Sequence, residues 1–282
     1  MPSLAAELLA PLGEALDQLL SRLFGKVPEN AKESSPNASD GWFNLDLLLL
    51  VGGLLSALVH FILTTVGPRE VLQAAWMGAH TLLRVTILLL LASLIWTPIG
   101  VTFGFQPRLA RVLQPLVQFL ASFPANFIFP FATLFFLRAH VPIGWGSILL
   151  MALGSQWYIL FNAIAGAQTI PSDLREMADD VGLRGWNRWR SLIIPGIFSA
   201  WVTGGITASG GAWNASIVSE VVSWGGTTLQ AKGLGAYIAT ATRLGDWPRI
   251  SLGIGLMSLF VVAFNRLDWQ RLYNLAESRY HL

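Results

Sequence analysis

Residues 170–195 read IPSDLREMADDVGLRGWNRWRSLIIP, the one extended charged segment in the middle of a very apolar chain. Long hydrophobic runs flank it on both sides, so its reading decides what those runs are. Pro171 and Ser172 mark a helix start, and Asp173 followed by Glu176 has the spacing of a capping box. Both carboxylates fall in the first turn, where the partial positive charge of a helix N-terminus favours them. Gly182 supplies the left-handed residue that ends such a helix, and Gly185 loosens the turn that follows. A second, basic helix then starts near Trp186 and carries Arg188 and Arg190 before Pro195. The expectation is a short helix, a glycine turn and a second helix, held outside a membrane between two spans. An ordinary amphipathic loop would satisfy the same residues.

Working outward, hydrophobic residues make up 54% of the chain and charged ones only 12%, with 12 Trp and 16 Phe. A soluble domain carries roughly 25% charged residues, so the composition is that of a polytopic membrane protein of all-α class. Cysteine is absent, which excludes disulfides and cysteine-based metal or nucleophile chemistry. The net charge of +2 is small, and where the charges lie matters more than their sum. No carboxylate occurs between Glu70 and Asp173, which excludes paired-carboxylate catalysis in the first several spans and leaves little for a proton relay. No catalytic residue, metal or cofactor is expected.

Residues 1–24 are expected to form an amphipathic helix: Leu4, Leu8, Leu12, Leu16, Leu19 and Leu23 recur at helical spacing, with Glu7, Glu14, Asp17 and Arg22 between them. The acidic residues and the lack of a basic leader argue against a signal peptide; such a helix lies on the membrane surface or against a partner. Residues 25–41, GKVPENAKESSPNASDG, read as a flexible linker. The transmembrane domain then covers 42–282. Spans are expected near 43–66, 78–101, 112–137, 146–168, 193–213 and 250–267, about six in all, each close to the ~20 residues that cross a bilayer core. Pro124 and Pro130 kink or unwind the third, and broken helices often line substrate paths.

With both termini placed in the cytoplasm, the inside set of basic residues is Arg22, Lys26, Lys32, Arg108, Arg111, Arg175, Arg184, Arg188, Arg190, Arg266, Arg271 and Arg279. Arg69, Arg84, Arg138, Lys232, Arg243 and Arg249 fall outside. The excess inside favours this orientation and puts the 170–195 loop in the cytoplasm. A second informative stretch follows the fifth span, GGITASGGAWNASIVSEVVSWGGTTLQAKGLGAYIATATRLGDWPRI, residues 204–250. Gly204, Gly205, Ser209, Gly210, Gly211 and Ala212 let a helix or a substrate approach the backbone closely. Trp213, Asn214 and Ser216 offer a ring and polar groups near the outer face, and Glu220, a carboxylate in an apolar run, needs a partner or water. Residues 229–241 are expected to form a short helix folded back at the outer face, with Gly233-Leu234-Gly235 as its turn. Arg84 and Arg138, at span ends, are expected to anchor the membrane interface.

Both stretches resemble one family. Glu176, Ala178, Gly182, Leu192, Ile194 and Pro195 stand at the spacing of the EAA signature of bacterial ABC-importer permeases of MetI-like fold, with Met177, Leu192 and Ile194 as apolar departures from it. The resemblance implies that these residues form coupling helices seated in a groove of separate ATPase subunits. AWNASIVSE followed by GLGAYI is similar to the permeases of the nitrate, sulfonate, taurine and bicarbonate group, and most of all to the second half of the duplicated anion-transport type. It extends from about His80 to the C-terminus and includes TLLR at Thr81–Arg84. It implies a permease in the inner (plasma) membrane, a periplasmic or lipid-anchored binding protein, and a second permease copy or half; no nucleic acid is implied. Pro124, Ser209, Trp213, Asn214, Ser216 and Glu220 would then line the substrate pathway.

Function classes separate on residues that are missing. No G-x-x-x-x-G-K-[ST] occurs in the sequence, so a transport subunit of this kind takes its ATP from another chain. A secondary transporter would need more intramembrane ionisable groups than His60, His80, Arg84 and Glu220. An intramembrane hydrolase with Ser209 as nucleophile would need a histidine base, and the only one after His140 is His281. An importer of some other small solute remains the alternative to an anion importer.

Overall fold

Gly67, at φ +86°, turns the chain into a helix that Pro68 opens, where a missing N–H costs nothing. This helix, α1, spans Pro68–Phe105. Its 38 residues extend ~57 Å at 1.5 Å each, well beyond the ~30 Å hydrocarbon core. In this computed structural model residues 64–224 and 226–279 are described, together with scattered positions between 49 and 62. The chain divides into two units, Met1–Thr64 and Thr65–Leu282. In the first, the described positions are helical. The expected N-terminal helix and linker lie outside the described residues, as does half of the span expected at 43–66.

After α1 come α2 (Pro107–Ser122), a 3-10 turn (Ala125–Phe127), α3 (Phe129–Arg138), α4 (Ile143–Thr169), α5 (Ser172–Asp180) and the short α6 (Gly185–Arg188). A π turn (Trp189–Ile193) leads from α6 into α7 (Ile194–Ser219). Then follow β1 (Val221–Trp224), β2 (Thr227–Gln230), α8 (Leu234–Leu244), α9 (Trp247–Phe264), a second π turn (Asn265–Trp269) and α10 (Gln270–Arg279). Among the described residues four helices are long and apolar enough to cross a membrane: Pro68–Phe105, Ile143–Thr169, Gly185–Ser219 and Trp247–Ser278. The chain is therefore an all-α polytopic protein, and four of the expected spans are segments of these longer helices. The third is unwound, one of the two outcomes expected of its prolines. Phe123 takes an extended conformation before Pro124, ending α2, and the chain restarts as α3 with Pro130 in its first turn. One small antiparallel hairpin was not expected: Val221 pairs with Gln230 and Trp224 with Thr227, turning through Gly226 at φ +81°. Consequently residues 229–233 are strand and turn, and the helix expected over 229–241 begins at Leu234.

The core sits where α1, α4 and α7 meet. Val85, Leu88, Leu89, Met151, Ile159, Val202 and Trp213 are buried together there. Small residues set the distance between these helices. A Cβ on Gly104 would lie 2.5 Å from Ala167 Cβ and 2.7 Å from the Ile164 carbonyl oxygen, so α1 and α4 pack backbone to backbone. On Gly204 it would meet Asn162 Cβ at 2.7 Å, and on Gly205 the Trp269 ring at 2.1 Å. Gly210 alone of this glycine run meets nothing within 4 Å, while Gly211 faces the Tyr158 ring.

His140 ends α3 at φ +53°, with Val141 N–H donating to Phe136 O at 3.0 Å. This is the closure a glycine usually provides. His140→Gly is expected to raise stability by up to about 1 kcal/mol, read as a higher melting temperature in detergent; a lower one would show that the imidazole makes a compensating contact.

Candidate functional site

Two places at opposite ends of α7 hold the residues singled out above. At its start, α5 ends in a full Schellman closure: Gly182, at φ +70°, donates to Asp179 O at 3.0 Å, and Leu183 N–H donates to Ala178 O at 2.8 Å. Gly185, at φ +55°, completes the turn. The capping box does not form, because the N-cap is Pro171, two residues before Asp173, which leaves Leu174 and not Glu176 at the third helical position. Ser172 Oγ instead donates to Asp173 Oδ1 at 3.2 Å. Nor does the second helix stop at Pro195. The π turn at Trp189–Ile193 absorbs the hydrogen bond that Pro195 is unable to donate, and the helix runs on into α7. The loop is held by Arg188 paired with Asp179 and by the Arg175 guanidinium over the Phe105 ring at 5.3 Å.

The signature residues divide by exposure. Ala178 is 4% exposed. Ile193 is buried with Val101, Ala167, Ile170 and Ile197, and Leu192 packs on that cluster. Ile194 and Pro195 are half-buried, so Ala178, Leu192, Ile194 and Pro195 hold the loop onto the spans. Glu176 is exposed. Leu174, Met177 and Val181 are exposed as well, at 36%, 60% and 73%. Their spacing of three and four lines them up along one face of α5 and its C-cap, Val181. By the motif Met177 is only a departure, but its helical spacing with Leu174 and Val181 marks the stripe.

At the far end of α7 lies a buried polar network. Glu220 is 0% exposed. Its Oε1 accepts from Thr81 Oγ1 and Arg84 Nη1, each at 2.8 Å, and its Oε2 accepts from Ala236 N–H at 3.0 Å. Arg84 also donates through Nε to Gly144 O at 3.1 Å and through Nη2 to Lys232 O at 2.9 Å. Thr81 Oγ1 accepts from Leu234 N–H at 2.9 Å. A Cβ on Gly233 would lie 2.0 Å from Glu220 Oε2, so the loop reaches the carboxylate only without a side chain there. Arg84 is thus no interface anchor. It is the buried partner that Glu220 requires, and together they tie α1, α4, α7 and α8. Nearby, Asp246 caps α9 by accepting from Arg249 N–H at 3.2 Å, and Arg249 holds the Asp246 carboxyl below its ordinary range.

The other expected pathway residues scatter. Trp213 stacks on Phe260, 6.1 Å between centroids; Ser216 donates to Trp213 O at 2.7 Å; both are buried, as is Ser209. Asn214 and Pro124 are exposed. Asn214 shares the open face of α7 with Thr203 and Thr207. Tyr158 and Asn162 of α4 lie beside it, across from Gly211 and Gly204. This neutral polar seam along two apolar spans was not singled out from sequence, although Thr203, Thr207 and Asn214 recur at helical spacing.

A family model described as binding-protein-dependent transport system inner membrane component matches residues 96–269. The chain belongs to this family. As an inner-membrane transport component it is a multi-pass protein, and the matched region takes in the loop, α7 and Glu220, while Thr81 and Arg84 of the buried network lie before it. It is 24% identical over 232 residues to the taurine transport system permease protein TauC of Escherichia coli, covering 80% of this chain and 83% of that one. It is 25% identical over 192 residues to the nitrate import permease protein NrtB of Leptolyngbya laminosa, covering 68% and 65%. To the bicarbonate transport system permease protein CmpB of Synechocystis sp. it is 30% identical over 150 residues, covering 53% and 52%. The chain thus spans less than two thirds of the nitrate and bicarbonate permeases.

Proposed function

We propose that this family member is the transmembrane subunit of an ATP-driven importer that passes a small anion of the nitrate, sulfonate, taurine or bicarbonate class. The anion would arrive from an extracytoplasmic binding protein, and ATP would be hydrolysed by a separate subunit. The observation that carries the reading is the apolar stripe of Leu174, Met177 and Val181 on α5, which lies outside the four apolar spans. Three exposed apolar side chains on a polar helix call for a protein partner, and an ATPase groove is what the family signature around them implies. Glu176 would flank that contact; Ala178, Gly182, Leu192, Ile194 and Pro195 would act behind it, fixing the angle of α5. The seam of Tyr158, Asn162, Thr203, Thr207 and Asn214 would face the pathway, shared with a second permease copy or half. Hydroxyls and amides there replace water around a solute without trapping it by charge. Ser209, Trp213, Ser216 and Glu220 would support that wall from within, and Pro124 would belong to the break between α2 and α3.

Uptake by the reconstituted system tests this. With its ATPase and binding protein added, proteoliposomes should accumulate nitrate, bicarbonate, taurine or an alkanesulfonate only with ATP. Uptake driven by an ion gradient without ATP would favour a secondary transporter. Orientation follows the same reading: the loop and both termini are expected in the cytoplasm. Cysteines replacing Asn187 and Asp246 should then react with an impermeant thiol reagent from opposite faces, and reaction of both from one face would refute this arrangement.

A further inference from the structure

A cleft of about 540 Å³ runs between α1 and the helix that passes from α6 into α7, with walls that include Leu90, Leu94, Thr97, Trp186, Trp189 and Trp201. Its polar atoms are few. Trp201 Nε1 donates to Ser93 Oγ at 3.2 Å, and Thr97 Oγ1 is buried with no hydrogen-bond partner among the described residues. From Leu90 to Pro98 the wall of α1 covers roughly 12 Å of helix, and from Trp189 to Trp201 the opposite wall covers about 18 Å. One leaflet of a hydrocarbon core is about 15 Å deep. The cleft is therefore as long as one acyl chain in one leaflet. Its loop end carries Trp186, 69% exposed at the boundary of a span, where tryptophan marks the level of lipid headgroups. Arg190 is four residues from both Trp186 and Ile194, on the same helical stripe; it is exposed and forms no ion pair among the described residues.

We propose that this cleft holds one acyl chain of an anionic phospholipid, with the lipid phosphate on Arg190. The bound lipid would wedge α1 against the π turn and so stiffen the base from which α5 projects. The proposal needs the loop end of α7 to lie at a membrane surface. It does not depend on what docks on α5.

The test uses the full chain in nanodiscs of phosphatidylcholine containing phosphatidylglycerol with a photoreactive diazirine midway along one acyl chain. Adducts mapped by mass spectrometry should concentrate on residues 90–98 and 186–201. Unlabelled phosphatidylglycerol should displace the probe about tenfold more effectively than phosphatidylcholine. Arg190→Gln should remove that preference, Arg190→Lys should keep it, and Leu94→Trp, which fills the cleft, should remove the adducts themselves. Adducts spread equally over the exposed Leu72, Leu83 and Leu94, or equal displacement by both lipids, would overturn the proposal. Disulfide trapping of a cysteine at position 94 by residues 43–66 or by a second copy would overturn it too, by identifying a protein occupant. ATPase pull-down by the same variants reports separately on the importer reading.

Discussion

Replacing Met177 and Val181 together by aspartate is expected to abolish retention of the ATPase subunit and, with it, solute uptake, while the protein inserts and folds normally. Both side chains are largely exposed, so among the described residues little contact is lost. Full burial of such a side chain against a partner contributes about 1.5–3 kcal/mol. Scaled to the surface still exposed on each, losing two costs roughly 2–4 kcal/mol, about thirtyfold to a thousandfold in affinity, before the cost of placing unpaired carboxylates in an apolar groove. Two further variants separate docking from folding. Ala178→Asp puts its charge into the chain's own interior, because Ala178 is 4% exposed, so it should lower the amount of folded protein. Gly182→Val meets no atom within 4 Å, so its penalty is the φ of +70° alone. That is roughly 1–2 kcal/mol, and more for a β-branched side chain. It should weaken ATPase retention by tilting α5 without preventing insertion. Normal retention and uptake by the double aspartate variant would mean that the stripe is not the docking face.

The second large effect is expected at Glu220. Glu220→Ala leaves the Arg84 guanidinium buried with no counter-charge, and Thr81 Oγ1 and Ala236 N–H lose their acceptor. Breaking a buried pair in this way costs about 3–5 kcal/mol. Glu220→Gln keeps the shape but not the charge, and its amide NH2 would face the donor of Ala236, so it should be nearly as damaging. Arg84→Leu combined with Glu220→Leu should be milder than either charge removal alone, because no isolated charge remains. Gly233→Ala should resemble Glu220→Ala, since its methyl group would occupy the carboxylate position. Melting temperature in detergent and protease sensitivity of residues 220–246 are the readouts. Wild-type stability of Glu220→Ala would show that water replaces the carboxylate and that the network contributes little.

These two sites differ in how far the sequence disclosed them. The helix, the glycine turn and its left-handed residue were legible because Gly182 and Gly185 are local signals. So was the break between α2 and α3, because Pro124 and Pro130 act on their own neighbours. The hairpin was also signalled, by Val221-Val222, the Gly225-Gly226 pair and Thr227-Thr228, but the apolar run before it reads as the end of a span. Arg84 and Glu220 lie 136 residues apart. No pattern along the chain joins them, and only the packing of α1 against α7 makes the buried carboxylate affordable. The motif does not mark which side chains of the loop stand outward: Ala178 and Leu192 sit at signature positions and pack inward, whereas Val181, which carries none of the motif, is exposed.

The most direct test of the coupling role is photocrosslinking from position 177. A photoreactive amino acid replacing Met177, in cells carrying the complete system, should give a crosslink to the subunit that bears the nucleotide-binding motif. The same group replacing Val112, an exposed apolar residue of α2, should give none. Crosslinks from position 177 only to lipid, or to a protein on the outer face of the membrane, would contradict the assignment of α5 as the coupling helix.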